Sequence, residues 1–289
     1  MSNAELLHDN LLIGAGVTLG GGTWSLPVTN LLTRAMVAQP ARCTAIATPG
    51  AATVTIDFGE DVSISRWAVF HITASLGGST YRLRASSTSG HAGDLLDTGF
   101  QPIFRGTSPS MSLPWEHPGW WYGLPREKDV TGYPRHLVIA IPATKARWWS
   151  VEFSDPTNPA GYLDLGYMIA GTPISFEHNF DLGRRRGRTS RSIIEMTPGG
   201  GQIIDRRRAV RSHSMTWSML SVAEASTIYD LAQNRDGVDL VLFIPDPDLL
   251  DAASIRDVFP ARLVGSIGEM SRTGDGLWTV SVTLEELIA

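Results

Sequence analysis

Two groups of residues in this 289-residue sequence have types and spacing that could do chemistry. Trp115, Trp120, Trp121 and Tyr122 lie within eight positions, beside His117 and two prolines. An indole face can stack on the apolar face of a sugar ring, so one reading is a carbohydrate platform. The other, which carries more weight, is that they pin a long loop to its domain or fill an interface, where Trp and Tyr are favoured. The second group is nine arginines in 28 residues: Arg184, Arg185, Arg186, Arg188, Arg191, Arg206, Arg207, Arg208 and Arg211, offset only by Glu195 and Asp205. Such a patch suits phosphates. No base-stacking aromatics interleave the arginines, however, and pairing with carboxylates across a subunit interface accounts for them better.

Other chemistry finds no constellation. Gly14, Gly16 and the triplet 20–22 do not form a dinucleotide fingerprint between a strand and a helix, and no phosphate-binding GxxxxGK[ST] occurs. The seven histidines are scattered and make no HExxH pair; Asp246, Asp248 and Asp251 follow a strand in a PDPD context that reads as a turn. There is no GxSxG elbow. Cys43 is alone, which excludes an intrachain disulfide and a cysteine-thiolate zinc site. The expectation is a non-catalytic chain with no cofactor and no bound metal.

The elements that must position the two groups are mainly strands. Residues 53–58 alternate apolar and polar with period two, 61–71 and 81–84 repeat the habit, and 136–141 and 147–153 follow, with Trp149, Val151 and Phe153 on one face. Residues 86–133, which carry the aromatic group, are dense in Gly, Pro and Ser and show no period, so they read as a long excursion from a β-sandwich. The arginines flank a Pro-Gly-Gly-Gly turn at 198–201, so 184–191 and 206–211 are expected to be antiparallel partners, with 203–217 as one long, bent strand. Ser221 precedes Glu224 at capping-box spacing; Val222, Ala225, Ile228, Tyr229 and Ala232 then recur at helical spacing, with Gly237 as the stop. Residues 262–267 and 277–284 make a further pair of strands through 274–276.

Length and composition agree with two globular domains: hydrophobic residues are 43%, and the 18% charged is too low for disorder. The expected division is an N-terminal, loosely attached arm over 1–27, a sandwich over 28–170 with its insertion at 86–133, and a second β domain over 171–289 with one helix near 221–236. The N-terminus is acidic, with no positive charge before Arg34, and no apolar run approaches the ~20 residues that span a bilayer. A soluble chain made in the cytoplasm, without membrane insertion, is expected.

Two segments carry a resemblance. Asn30-Leu31-Leu32-Thr33 followed by 52–59, 67–72, 80–85, the aromatic strand and D-P-x-N-P turn of 146–159, and Gly161-Tyr162-Leu163-Asp164-Leu165-Gly166 resembles the galactose-binding-like (discoidin-like) sandwiches of tailed-phage tail proteins. The stretch from Arg206 to Trp217, the helix and 240–247 resembles the C-terminal half of the same proteins. The resemblance covers roughly 28–289. It implies a mainly β fold, a galactose-binding-like β-sandwich followed by a β-barrel or sandwich carrying one helix. It further implies a structural subunit of a siphophage or prophage tail tip or baseplate, resembling distal tail proteins. Such a subunit forms a homo-oligomeric ring, hexameric by that likeness, connects tail tube and hub to tip or fibres, sits in the virion tail and is assembled in the host cytoplasm. In that setting the arginines meet acids of a neighbouring subunit or face a channel through which DNA passes. The alternative is a glycan-binding adhesion module using Trp115, Trp120, Trp121 and Tyr122.

Charge is distributed in a way that fits association. The net charge of -5 conceals the +7 segment at 184–211, so the rest of the chain carries -12.

Overall fold

The structure, a computed structural model, describes residues 3–34, 36–91, 93–108, 111–117, 119–121, 123–124, 127–196, 198–235, 239–251, 254–264, 270–273 and 276–287. The chain is mainly β. It divides into two compact units, one of Asp9–Pro173 and Asp246–Val258, the other of Met1–His8, Ile174–Pro245 and Phe259–Ile288.

In the first unit two 19-residue strands, Ala52–Phe70 and His136–Ser154, form the spine of a seven-stranded antiparallel sheet. Ala52, Val54, Ile56 and Phe58 are buried and the residues between them half-buried, as alternation requires. The two strands expected at 53–58 and 61–71 are one, because bulges at Asp57/Val62 and Ile64/Arg66 bend it without ending it. The bulges also switch the positions that enter the unit's core from even (Ile56, Ile64) to odd (Trp67, Val69), while Ala68 and Phe70 are buried outside it. Both ends of the strand thereby line one core, in which the Trp67 and Trp149 rings lie 5.5 Å apart and Trp149 Nε1 donates to Ala146 O. The ribbon of Ala41–Cys43 and Leu163–Leu165 supplies four further buried side chains to that core. Burial pushes the Cys43 thiol pKa up, which keeps it in the unreactive form.

The N-terminal stretch differs from the expected loose arm. Leu12 is in the core, Thr18–Gly20 pairs with Ala52–Phe70, and Asn10 donates to Tyr167 OH and Met168 O while accepting from Ala170 N. The glycine triplet serves close packing: Gly22 has φ 62°, and a Cβ there would lie 2.5 Å from Ala51 O. The excursion at 86–133 is likewise shorter than expected, since Asp94–Asp97 and Gln101–Pro102 return to pair with Thr80–Ser86.

The second unit has an eight-stranded antiparallel sheet. Its order is Ile174–Ser175, Glu5–Leu7, Val241–Ile244, Pro260–Val264, Leu277–Glu286, Val210–Leu220, Arg185–Thr189, with Met270–Thr273 also on Leu277–Glu286. Glu5–Leu7 therefore lies inside this sheet, between strands remote from it in sequence. The helix Val222–Arg235 buries Ala225, Ile228 and Leu231 against the sheet's core, where Trp217 meets Phe176 and Phe180 edge-on. Val222 and Tyr229, expected on that face, are exposed, and Gly237 lies outside the described residues. Ser221 and Glu224 make the capping box: Glu224 N donates to Ser221 Oγ at 3.3 Å and Ser221 N to Glu224 Oε2 at 2.9 Å. Among the described residues no helix is long and apolar enough to cross a membrane.

Candidate functional site

The excursion from the first unit is held down by residues other than its tryptophans. Ile103, Phe104 and Val130 are buried, and Leu124 packs on the core. Between them the loop is folded by its own backbone: Met111 N donates to Trp120 O, His117 N to Pro114 O, Trp120 N to His117 O and Thr107 N to Gly123 O. His117 Nδ1 accepts from Gly119 N at 3.0 Å. This scaffold brings Trp115, Trp120 and Trp121 into one cluster, with centroids 4.6 Å apart for each adjacent pair and planes at 76° and 83°. Trp120 is half-buried between its neighbours, while Trp115 is 72% and Trp121 58% exposed. Exposure of this order leaves indole surface of Trp115 and Trp121 open to a ligand or partner. Tyr122 lies outside the described residues.

The arginine group is only partly what its spacing predicts. Arg185–Thr189 does pair antiparallel with Val210–Leu220, placing Arg188 opposite Arg211 and Arg186 opposite His213. The expected 203–217 strand is two, Gln202–Asp205 and Val210–Leu220, with the ladder interrupted at 206–209, where Ser192 Oγ instead bonds the Arg207 backbone. Several of the cations have acidic partners in the chain itself. Arg211 and Arg208 both donate to Glu286, Arg191 and Arg262 to Glu285, and Arg207 to Asp205. Arg208 is partly buried, and desolvation lowers its pKa despite Glu286. Arg184 sits 5.7 Å from the Phe180 ring. Arg185, Arg186, Arg188 and Arg206 are exposed, as are Arg191 and Arg207.

A third place was not signalled by the sequence. A cavity of about 360 Å³ in the first unit is lined by Met36, Pro40, His71, Arg135 and Asp164, among others. His71 holds φ 55° at the end of Ala52–Phe70, a left-handed conformation uncommon outside glycine. Gly166 makes room for it, since a Cβ there would lie 2.9 Å from both His71 Cβ and Phe70 O. Asp164 is fixed by a bidentate pair with Arg42 at 2.7 Å, and Arg42 in turn lies 4.1 Å over the Tyr162 ring. Arg135 donates to Ala74 O and to Glu127. Apolar walls with fixed donors and acceptors are the ordinary make-up of a small-molecule site. His71, Arg135 and Asp164 are far apart in sequence, so no motif could have linked them. Among the described residues no group of three or more His, Cys, Asp or Glu could hold a metal ion.

No family model and no curated protein matches the chain. Among solved structures it is similar to CBM32-1 from a family 31 glycoside hydrolase from Clostridium perfringens, at 10% identity and TM-score 0.31, covering 55% of this chain and 95% of that one. It is similar also to CpGH89CBM32-5 from Clostridium perfringens, in complex with GalNAc-beta-1,3-galactose, at 10% identity and TM-score 0.31, covering 54% and 95%. A third is the family 89 glycoside hydrolase from the same organism, at 9% identity and TM-score 0.31, covering 63% of this chain but 16% of that one. The mainly β fold follows from the two antiparallel sheets and their cores.

Proposed function

We propose that this chain is a non-catalytic, glycan-binding subunit of a larger assembly. The observation that carries this reading is the exposed cluster of Trp115, Trp120 and Trp121 on a loop anchored by other residues. Indole faces stack on the C–H faces of pyranose rings, and the recess at His71, Arg135 and Asp164 supplies the donor and acceptor chemistry that sugar hydroxyls need. A glycan array probed with the wild type and with Trp115→Ala/Trp121→Ala tests it: the expected result is a sugar-dependent signal that the variant loses. A wild type that binds no glycan on the array overturns the reading.

A second reading is favoured by the chain's connectivity. The helix-bearing unit is assembled from three separate segments, so the first unit is an excursion from it, as in a scaffold that displays a module. This is the arrangement expected of a phage tail-tip or baseplate subunit, made in the host cytoplasm and incorporated in the virion tail. It would form a ring between tail tube, hub and tip, with the exposed arginines toward neighbouring subunits or passing DNA. Electron microscopy of the purified chain should then reveal rings; a strictly monomeric protein absent from tails rejects it.

A further inference from the structure

Beyond Arg185–Thr189 and Val210 the hairpin of the second unit continues as Ile193–Met196 paired with Gln202–Asp205, and every residue of those two strands is exposed. The register places Ile194 opposite Ile204 on one face and puts Ile193 and Ile203 on the other. With Met196, these side chains are 41–71% exposed. Apolar residues scattered singly over a surface are ordinary, but five on one short ribbon are not. Glu195 and Asp205 share the face of Ile193 and Ile203, so the more apolar face is that of Ile194, Ile204 and Met196. A two-stranded ribbon is at best marginally stable alone in water, so one with such a face gains stability from cover on that side.

We propose that this hairpin is a docking arm that inserts against a second copy of this chain, its isoleucines buried there and Arg185 and Arg206 set against that copy's carboxylates. The inference rests on the assembly reading above and names its contact. A second copy is the occupant because of charge: the segment 184–211 that carries the arm is +7, and the remaining residues of the same chain carry -12. Arg191, Arg207, Arg208 and Arg211 are taken up by Glu285, Glu286 and Asp205 of their own chain, which leaves the exposed Arg185 and Arg206 at the base of the arm to meet other carboxylates. Association of this kind steers positive surface to negative. The contact is made by side chains and not by strand addition, because the sheet's edge here, Arg185–Thr189, is studded with arginines, a pattern that blocks edge-to-edge pairing.

The test is native mass spectrometry and light scattering on the full chain, over a concentration series and at low and about 1 M salt, where screening shortens to about 3 Å. Wild type, Ile194→Asp/Ile204→Asp and Arg185→Glu/Arg206→Glu are compared. All four positions are exposed, so the fold is expected to survive, and thermal melts check that it does. The expected result is a salt-weakened wild-type oligomer, with at least tenfold weaker association in both variants and a smaller salt dependence in the arginine pair. If the isoleucine variant melts early, the arginine variant decides. A wild type that assembles while both variants assemble equally well overturns the arm and leaves the assembly reading standing. A wild type that is monomeric throughout overturns both.

Discussion

Glu286 and Arg211 form an ion pair shut away from solvent, their side chains 1% and 7% exposed. Arg211 Nη2 donates to Oε1 at 2.6 Å and Nε to Oε2 at 2.9 Å, and Arg208 Nη2 adds a third bond at 2.6 Å. The Arg211 guanidinium also lies 4.6 Å over Phe259, which stacks on His213. One carboxylate thus holds two arginines and ties Val210–Leu220 to the end of Leu277–Glu286. Removing it leaves a buried cation without its counter-charge, so Glu286→Ala is expected to cost about 3–5 kcal/mol. Arg208→Ala, at a partly exposed site, is expected to cost about 1 kcal/mol or less. Equilibrium denaturation with urea compares the two; a Glu286→Ala loss no larger than that of Arg208→Ala would show that the pair is not the clamp.

Acid should unfasten the fold. The Arg82 fork lowers the Asp97 pKa from 3.8 to about 2, and Arg147 likewise lowers Asp57. Glu286 is pushed up by burial, but its bonds to Arg211 outweigh that and leave it below 4.5; Arg262 lowers Glu285. Carboxylates whose folded pKa lies below the unfolded one contribute stability that is present above the unfolded value and lost as pH falls through the folded one. Denaturation midpoints are expected to be flat from neutrality to about pH 5 and to fall from there toward pH 2. A midpoint that rises on acidification through pH 4 contradicts these pairs.

What could be read in the sequence was whatever depends on neighbours along the chain. The alternation of Val54, Ile56 and Phe58, the shared face of Trp149, Val151 and Phe153, and the Ser221–Glu224 box are all local, and the structure has each. The aromatic cluster was legible because eight residues hold all its members. What was not legible depends on distant partners. Glu5–Leu7 has no strand signal of its own and is a strand because Val241–Ile244 and Ile174–Ser175 flank it. The arginines looked like a surface for others because their acids, Glu285 and Glu286, stand about eighty residues downstream. The exposed isoleucines read as an ordinary strand, since sequence alone cannot tell a buried apolar face from an uncovered one.

The helix cap offers a stability test. Glu224 Oε2 accepts from Ser221 N, and Oε1 reaches across to accept from Glu177 N at 2.8 Å. Burial opposes its charge, but those two N–H groups hold its pKa below the usual value. Ser221→Ala removes both bonds of the hydroxyl, from Glu224 N and to Glu224 Oε2, and is expected to cost about 1 kcal/mol. Glu224→Ala also strands Glu177 N, so its cost should exceed that of Ser221→Ala, again by about 1 kcal/mol. Equal losses in the two variants would mean that the bond to Glu177 contributes nothing.

The tryptophans of the first unit should separate cleanly into two classes. Trp149 is fully buried, tilted against Trp67 and hydrogen-bonded to Ala146 O, so Trp149→Ala opens a cavity and is expected to cost about 3–5 kcal/mol. Trp115 and Trp121 lose little burial on truncation, and each Ala variant is expected to stay within about 0.5 kcal/mol of wild type. On that outcome their indoles contribute little to the fold of the isolated chain, in support of a role in recognition. Thermal or urea denaturation of the three single variants checks this directly. A loss of several kcal/mol in Trp115→Ala or Trp121→Ala would return these residues to a packing role and remove the observation on which glycan binding rests.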